Sequence, residues 1–142
     1  MNQGERTTAQ STSAFRTECL EGLRRAEALR AEIVTSAART IDEGLDRYNQ
    51  LLTAASASNA LAGLMSEVHP DELIRDVARE CEQEVARFYS ELALDREMYD
   101  ALAAIDVSSA DADTQRFHAQ TLRDYRRAGV DQPPEVRARL KA

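Results

Sequence analysis

Glycine and proline are scarce in this chain, which has five Gly and three Pro among 142 residues. Both residues interrupt helices, so their scarcity favours helical structure. Tryptophan is absent, and the apolar fraction of 43% comes chiefly from Ala, Leu and Val, beside a charged fraction of 30%. The length suffices for one domain with a core of its own. The sequence therefore predicts an all-α protein, an antiparallel bundle of about five to six helices.

Positive charge is also in short supply, since the net charge is −7 and Lys141 is the only lysine. Binding to nucleic acid or to an anionic membrane depends on attraction to phosphate, so the negative net charge argues against a dedicated binder of either kind. No apolar run approaches the roughly 20 residues that cross a bilayer, and the N-terminus lacks the apolar segment of a secretory signal. We expect a cytoplasmic location and no membrane partner.

The sequence contains two cysteines, Cys19 and Cys81. Each lies on a predicted apolar helix face, which indicates buried free thiols in a reducing compartment. The sequence leaves open whether the two side chains meet.

The longest amphipathic stretch runs from His69 to Leu94. Its apolar residues recur at steps of three and four, as one face of a helix requires. These residues are Ile74, Val77, Ala78, Cys81, Val85, Phe88 and Leu92. Pro70 suits the first helical position, and Asp71 adds negative charge near the positive end of the helix dipole. We expect the other helices to pack along this stripe.

Before this stretch, residues 1–13 are polar and without periodicity, and we interpret them as a disordered lead-in to a helical domain over 14–142. The first helix is predicted over 14–36, with Ser13 as its N-cap. Its apolar face comprises Phe15, Cys19, Leu23, Ala26, Leu29 and Ile33.

The second helix is predicted to begin at Thr40, which forms a capping box with Glu43. Its stripe begins with Ile41, Leu45, Tyr48 and Leu52. The small residues of 53–59 indicate a weakening or bend. Because a residue before proline avoids the helical region, a corner is expected at His69.

Three further helices are expected after the central one. A short helix covers 95–104 and directs Met98, Leu102 and Ile105 inward, and a loop over 108–113 precedes a helix over 114–128. That helix buries Phe117, Thr121, Leu122, Tyr125 and Ala128. Gly129 is placed for a left-handed cap, with Val130 making the accompanying apolar contact. The pair Pro133–Pro134 opens the last helix, in which the chain stops, so we expect a longer native polypeptide.

The motifs of metal and nucleophile chemistry are missing. There is no HExxH, no phosphate-binding glycine loop and no nucleophile elbow. Cys19, His69, Cys81 and His118 lack the close pairs that zinc sites use. We therefore assign no catalytic, metal or cofactor-binding residue, and we interpret His69 as a corner residue and His118 as a surface residue.

Charged residues cluster on the central helix and in the C-terminal part. The pairs Glu80 with Glu84 and Glu91 with Asp95 are expected on a solvated face. From residue 114 onward, basic residues outnumber acidic ones. They are Arg116, Arg123, Arg126, Arg127, Arg137, Arg139 and Lys141. These could dock an acidic partner or a peptide carboxylate, but a solvated helix surface is the favoured interpretation.

Three segments carry a family likeness. The run over 66–102 (SEVHPDELIRDVARECEQEVARFYSELALDREMYDAL) resembles the N-terminal helical region of the thimet oligopeptidase family of zinc metallopeptidases. The segment TIDEGLDRYN over 40–49 is similar to another family segment, although Asp42-Glu43-Gly44 depart from it. LRDYRRAGVDQPPEVRARL over 122–140 is similar to a third, with Gln132 where the family has Leu. The likeness covers roughly 20–142.

The resemblance implies a fold and a role. Family members hold zinc with an HExxH helix and a later Glu, and their N-terminal helices form a wall of a channel that admits short peptides. On this resemblance the chain is such a wall, with short peptides as partners, and the zinc and catalytic residues lie outside it. For such a fragment we expect Val130, Val136 and Leu140 to be under-covered, so that the isolated chain is marginally stable or associates with itself. The alternative is a free-standing helical domain that binds other proteins without catalysis.

Overall fold

The computed structural model describes residues 2–36 and 39–142. The described residues form helices joined by turns, with no strand among them, which confirms the prediction of an all-α bundle. The helices are α1 (Gln3–Thr35), α2 (Arg47–Val68), α3 (Glu72–Ala93), α4 (Arg96–Ala103), α5 (Ala112–Ala128) and α6 (Pro134–Lys141), and a π-helical segment (Ile41–Asp46) leads directly into α2.

The first three helices pack most extensively on one another, and α4 and α5 close one end of them. The predicted stripe of α3 is confirmed, since its members are buried apart from the half-buried Phe88. The largest fully buried side chains are Ile33, Leu51, Met98, Leu102, Val85, Val130, Cys19 and Cys81. They come from four helices, α1 to α4, and from the turn after α5.

Helix α1 begins much earlier than the sequence predicted. The Asn2 N–H donates to Glu5 Oε2 at 2.8 Å, and the Thr7 and Thr8 hydroxyls donate to carbonyls four residues earlier, each at 3.0 Å. These bonds satisfy polar groups of the first turns locally. The predicted lead-in is therefore wrong over residues 3–13, Ser13 lies inside the helix, and Met1 lies outside the described residues.

The corner between α2 and α3 is confirmed at His69. Its ring Nδ1 accepts the Asp71 N–H at 3.1 Å, and its carbonyl accepts from Arg75 at 2.6 Å. The Asp71 carboxylate accepts the Leu73 N–H at 2.9 Å and so caps α3. Pro70 therefore precedes the helix, and its predicted place at the first helical position is wrong.

The Thr40 half of the predicted capping box is confirmed, because the Thr40 hydroxyl accepts the Glu43 N–H at 3.1 Å. The Glu43 carboxylate accepts from the Ser36 hydroxyl at 3.3 Å. The first turns after the cap are π-helical, which the sequence did not predict.

The small residues of α2 do not weaken the helix, which continues without a break to Val68. They allow α1 to approach closely instead. A methyl group at Gly22 would overlap the Ala54 carbonyl oxygen and would lie 2.7 Å from Ser58 Oγ. The same Ser58 hydroxyl accepts the Leu23 N–H at 3.0 Å. The predicted bend is wrong because these residues form a close helix crossing.

The end of α5 follows the prediction. Gly129 has φ of 105°, and the Val130 N–H donates to the Tyr125 carbonyl at 3.1 Å. Val130 is fully buried, so its predicted under-coverage is wrong: the glycine cap turns it back onto the core. Helix α6 buries no residue, and Leu140 is 54% exposed.

Candidate functional site

A pocket of about 400 Å³ lies between α2, α3 and α5. Four aromatic rings line it, and six other residues complete its wall. The rings are those of Tyr48, Tyr89, Phe117 and Tyr125, and the other residues are Leu52, Leu92, Ala93, Gln120, Thr121 and Asp124. We call this the aromatic pocket. Its volume falls in the range that holds small organic ligands.

The helices direct these residues to one place by their periodicity. From α5 the pocket receives positions 117, 120, 121, 124 and 125, which are separated by three and four residues. Helix α2 contributes positions 48 and 52, and α3 contributes 89, 92 and 93. The wall therefore belongs to regular helices packed on the core.

The rings support one another. The Tyr48 ring centre lies 6.5 Å from that of Phe117 and 6.3 Å from that of Tyr125, with tilts of 38° and 46°. Tyr99 packs 6.0 Å behind Tyr125. Such separations and tilts are favourable for aromatic pairs. The contacts hold the deep side of the pocket in a fixed shape.

The Tyr125 hydroxyl is the unusual group of this site. It is buried and finds no hydrogen-bond partner among the described residues. The Tyr48 hydroxyl is its polar neighbour, and the interaction between the two phenols affects the pKa of each. Burial raises the pKa of both phenols above the ordinary value, so both are neutral at physiological pH. A buried polar group without a partner calls for an explanation.

Asp124 is the only charged side chain that lines the pocket within the described chain. It is exposed, beside the exposed Gln120, and both lie at the mouth. Burial is the main reason that the pKa of Tyr48 is raised, and the Asp124 carboxylate adds to the increase. The mouth of the aromatic pocket is therefore acidic.

Behind Tyr125 lies an ion pair between α1 and the start of α4. Arg30 donates to both carboxylate oxygens of Asp95, from Nε at 2.6 Å and from a terminal nitrogen at 3.1 Å. The hydrogen bond to Asp95 is the main reason that the pKa of Arg30 is raised. A second cavity of about 660 Å³ borders this pair and reaches α6. Its lining mixes acidic and basic side chains.

Asp95 therefore does not lie on a solvated face, and that prediction is wrong. Besides pairing with Arg30, it accepts the Met98 N–H at 3.1 Å and so caps α4. Glu80 and Glu84 are exposed as predicted. Glu80 pairs with Arg16, and Glu84 pairs with Arg87.

Of the four residues weighed for a zinc site, the structure brings the two cysteines together. Cys19 and Cys81 are buried in one cluster with Ala62. His69 lies at the α2–α3 corner. His118 is buried rather than on the surface, with Nε2 2.7 Å from the Leu102 carbonyl oxygen. Within residues 2–36 and 39–142, no three His, Cys, Asp or Glu side chains are grouped as metal ligands would be.

Burial, reinforced by the neighbouring Cys81, raises the pKa of Cys19 from 9.0 to about 12. Between these values the unfolded chain loses a proton that the folded chain keeps. We therefore expect the free energy of unfolding to fall as pH rises above 9, by up to about 1.4 kcal/mol per pH unit from this thiol. Urea denaturation between pH 8 and pH 11, values that bracket the normal thiol pKa, measures the slope. Cys19→Ala should give a shallower slope, and identical slopes would contradict the assignment.

Three of the seven basic residues in the C-terminal part make polar contacts within the chain. Arg126 donates to the Tyr99 hydroxyl at 3.3 Å, and Arg137 donates to the Val130 carbonyl at 3.4 Å. Arg116 pairs with Asp113 at 3.5 Å on the exposed start of α5. These contacts are those of a helix surface, the favoured interpretation.

No protein-family model matches this chain, and comparisons with curated proteins and with solved structures found no match either. No helix in the described part of the chain is long and apolar enough to cross a membrane.

The sequence placed several members of the aromatic pocket on apolar helix faces without showing that they meet. It missed Tyr89 and Asp124. A signal was present in α5, where the polar residues Gln120 and Asp124 share the stripe of Phe117 and Tyr125. An apolar stripe that includes charged and amide side chains is typical of a helix face that borders a pocket.

Proposed function

We propose that this chain is the helical channel-wall region of a cytoplasmic zinc oligopeptidase that resembles the thimet oligopeptidases. Hydrolysis of short peptides would require a catalytic part carrying HExxH and a later Glu. That part would hold the zinc ion, and we assign no catalytic or metal-binding residue to residues 1–142. The function of this chain would be to bound the space in which peptides bind.

The observation that supports this proposal is the location of the three family-like segments in the bundle. Each contains a residue that fixes a junction. Thr40 caps the π-helical segment, Asp95 caps α4 and binds α1, and Gly129 ends α5. Residues at these junctions determine where one helix ends and where the next begins. Three such segments in the family's order therefore support a shared helical arrangement.

Exposed apolar side chains supply a second support. Leu64 and Val68 lie four residues apart on one face of α2 and are 56% and 63% exposed. Leu73, at the start of α3, is 50% exposed. Exposed apolar side chains that share one helix face are typical of a face that another domain or protein covers. In the proposed peptidase, the catalytic part would cover it.

The same apolar face also supports the alternative function, a free-standing helical domain that binds another protein. The two proposals differ in one respect. In the first, peptide hydrolysis belongs to the complete gene product, and in the second it does not.

The test uses the complete product of the native reading frame, read past the codon for Ala142. A frame that encodes HExxH and a later Glu would be expressed in full and assayed with short fluorogenic peptides. We expect hydrolysis that a zinc chelator abolishes and that added zinc restores. Replacement of the HExxH glutamate by glutamine is the matched control and should abolish activity while zinc stays bound. A stop codon directly after Ala142, or a complete protein without zinc-dependent hydrolysis, would overturn the proposal and favour the interaction domain.

A further inference from the structure

We propose that Cys19 and Cys81 form a reversible disulfide, which ties α1 to α3 when a low-molecular-weight disulfide oxidises the protein. The chain with two free thiols would then be the reduced one of two redox states. This inference concerns a modification site within the described chain. It goes beyond the proposed function and does not depend on it.

The two thiols lie together in the fold. Cys19 of α1 and Cys81 of α3 are 0% and 2% exposed, and they form a buried cluster with Ala62 of α2. The thiols also interact with each other, and this contact affects the pKa of each. Neither is bonded to another cysteine. A disulfide requires two cysteine side chains that meet, and this cluster contains such a pair.

The alignment of α1 with α3 brings the cysteines to nearly the same level of the bundle. Arg16 of α1 pairs with Glu80 of α3, and the ion pair between α1 and the start of α4 lies further along both helices. The two helices therefore run parallel. Cys19 follows Arg16 by three residues and Cys81 directly follows Glu80, so their levels differ by roughly 3 Å along the axis. A bridge would require little sliding of one helix along the other.

The existing connection between α1 and α3 is weak at this level. Helix α1 packs less extensively on α3 than on α2. The side chains of the Arg16–Glu80 pair are 45% and 56% exposed, and such pairs contribute little to stability. A disulfide would close a loop of about 60 residues that includes the whole of α2. Restricting the unfolded chain in this way stabilises the folded state.

The exchange balances between the two thiols and one molecule of oxidised glutathione. The thiolate of one cysteine attacks a sulfur of the glutathione disulfide, so a mixed disulfide forms and one reduced glutathione leaves. The second cysteine then attacks the protein sulfur of the mixed disulfide, and the other reduced glutathione leaves. The cysteines together lose two protons and two electrons, which the glutathione disulfide gains. Excess reduced thiol reverses both steps.

Burial determines when this exchange can start. It raises the pKa of Cys19 to about 12, and the thiolate rather than the thiol is the nucleophile. In the closed bundle the thiols are therefore protonated and out of contact with solvent. The first attack requires α1 to open locally from α3. The pair would stay reduced in a reducing compartment and would respond slowly to a sustained oxidant.

The experiment treats the purified chain with oxidised glutathione at mildly alkaline pH and without denaturant. After an acid quench, the remaining thiols are alkylated in urea, and the intact mass is measured. We expect a monomer that has lost two hydrogen atoms, carries no glutathione and takes up no alkylating agent. Its thermal midpoint should exceed that of the reduced chain by about 10 °C. Dithiothreitol should restore the original midpoint.

Cys19→Ala and Cys81→Ala are matched controls, because each keeps one thiol of the pair. Neither should form the cross-linked monomer, and oxidised glutathione should not raise the thermal midpoint of either. The proposal would be overturned if both wild-type thiols still alkylate, or if the product carries glutathione or is a covalent dimer. A cross-linked monomer with a midpoint no higher than that of the reduced chain would also overturn it, because the bridge would then not fit the folded bundle.

Discussion

Replacing Gly22 by alanine is expected to lower the free energy of unfolding by about 1–3 kcal/mol, the range for an overpacked site. Helix propensity alone would predict the opposite, a gain of about 1 kcal/mol. The difference arises because α1 and α2 cross at this residue. An added methyl group would overlap the Ala54 carbonyl oxygen and crowd Ser58 Oγ. Backbone cannot rotate away as a flexible side chain can, so the helices must separate and the Leu23–Ser58 hydrogen bond must lengthen.

Gly63 provides a matched control in the interior of α2. The nearest atom to a methyl group at Gly63 is Glu82 Oε1 at 3.4 Å, the end of a flexible side chain. Gly63→Ala should therefore raise the free energy of unfolding by about 0.5–1 kcal/mol. Urea denaturation of the two variants and the wild type measures both changes. If both substitutions stabilise the protein, the close crossing of α1 and α2 is not real.

The helices themselves could be predicted because local signals agree with the final packing. The stripe from Ile74 to Leu92 has one period and one buried face. The corner at His69 follows from a proline whose effect on the preceding residue is steric. The cap at Gly129 needs a left-handed backbone that glycine adopts without strain. Each of these features depends on residues within one or two helical turns.

The errors occur where a residue's environment depends on distant parts of the chain. His118 was assigned to the surface, but the carbonyl of Leu102 lies next to its ring once α4 and α5 pack together. Asp95 is spaced from Glu91 as solvated carboxylates on a helix face are. Its ion pair with Arg30 forms only because α1 packs against the start of α4. The small residues of α2 weaken a helix by composition, yet they permit the crossing at Gly22. None of these contacts has a local signal.

In the aromatic pocket, too, the local features were predictable and the contacts between helices were not. Burial of Tyr48 and Tyr125 followed from helical periodicity, and both are buried. The absence of a partner for the Tyr125 hydroxyl in the described chain depends on distances between α2 and α5 that periodicity does not contain. Periodicity therefore predicts which residues are buried, whereas the structure is needed to show which buried polar groups are unsatisfied.

Replacing Asp95 by alanine is expected to lower the free energy of unfolding by about 2–4 kcal/mol, because a helix cap and a charged hydrogen-bonded pair are lost together. The Asp95 side chain is 13% exposed and accepts from both Arg30 and the Met98 N–H. Its removal leaves the first turn of α4 uncapped and Arg30 without its main partner. The connection between α1 and α4 should weaken most, so hydrogen exchange of the α4 amides should accelerate more than that of α3.

Two further variants separate the cap from the charge. Asp95→Asn keeps an oxygen that can accept the Met98 N–H but removes the negative charge, so it should cost about half as much as the alanine variant, since a cap is worth about 1 kcal/mol. Asp100→Ala breaks the exposed pair with Arg96 and should cost less than about 0.5 kcal/mol. If Asp95→Ala lowers the free energy of unfolding no more than Asp100→Ala does, the Arg30–Asp95 pair does not hold α1 to α4. A full loss in the asparagine variant would instead assign the stabilisation to the charge, because the cap alone would then contribute nothing measurable.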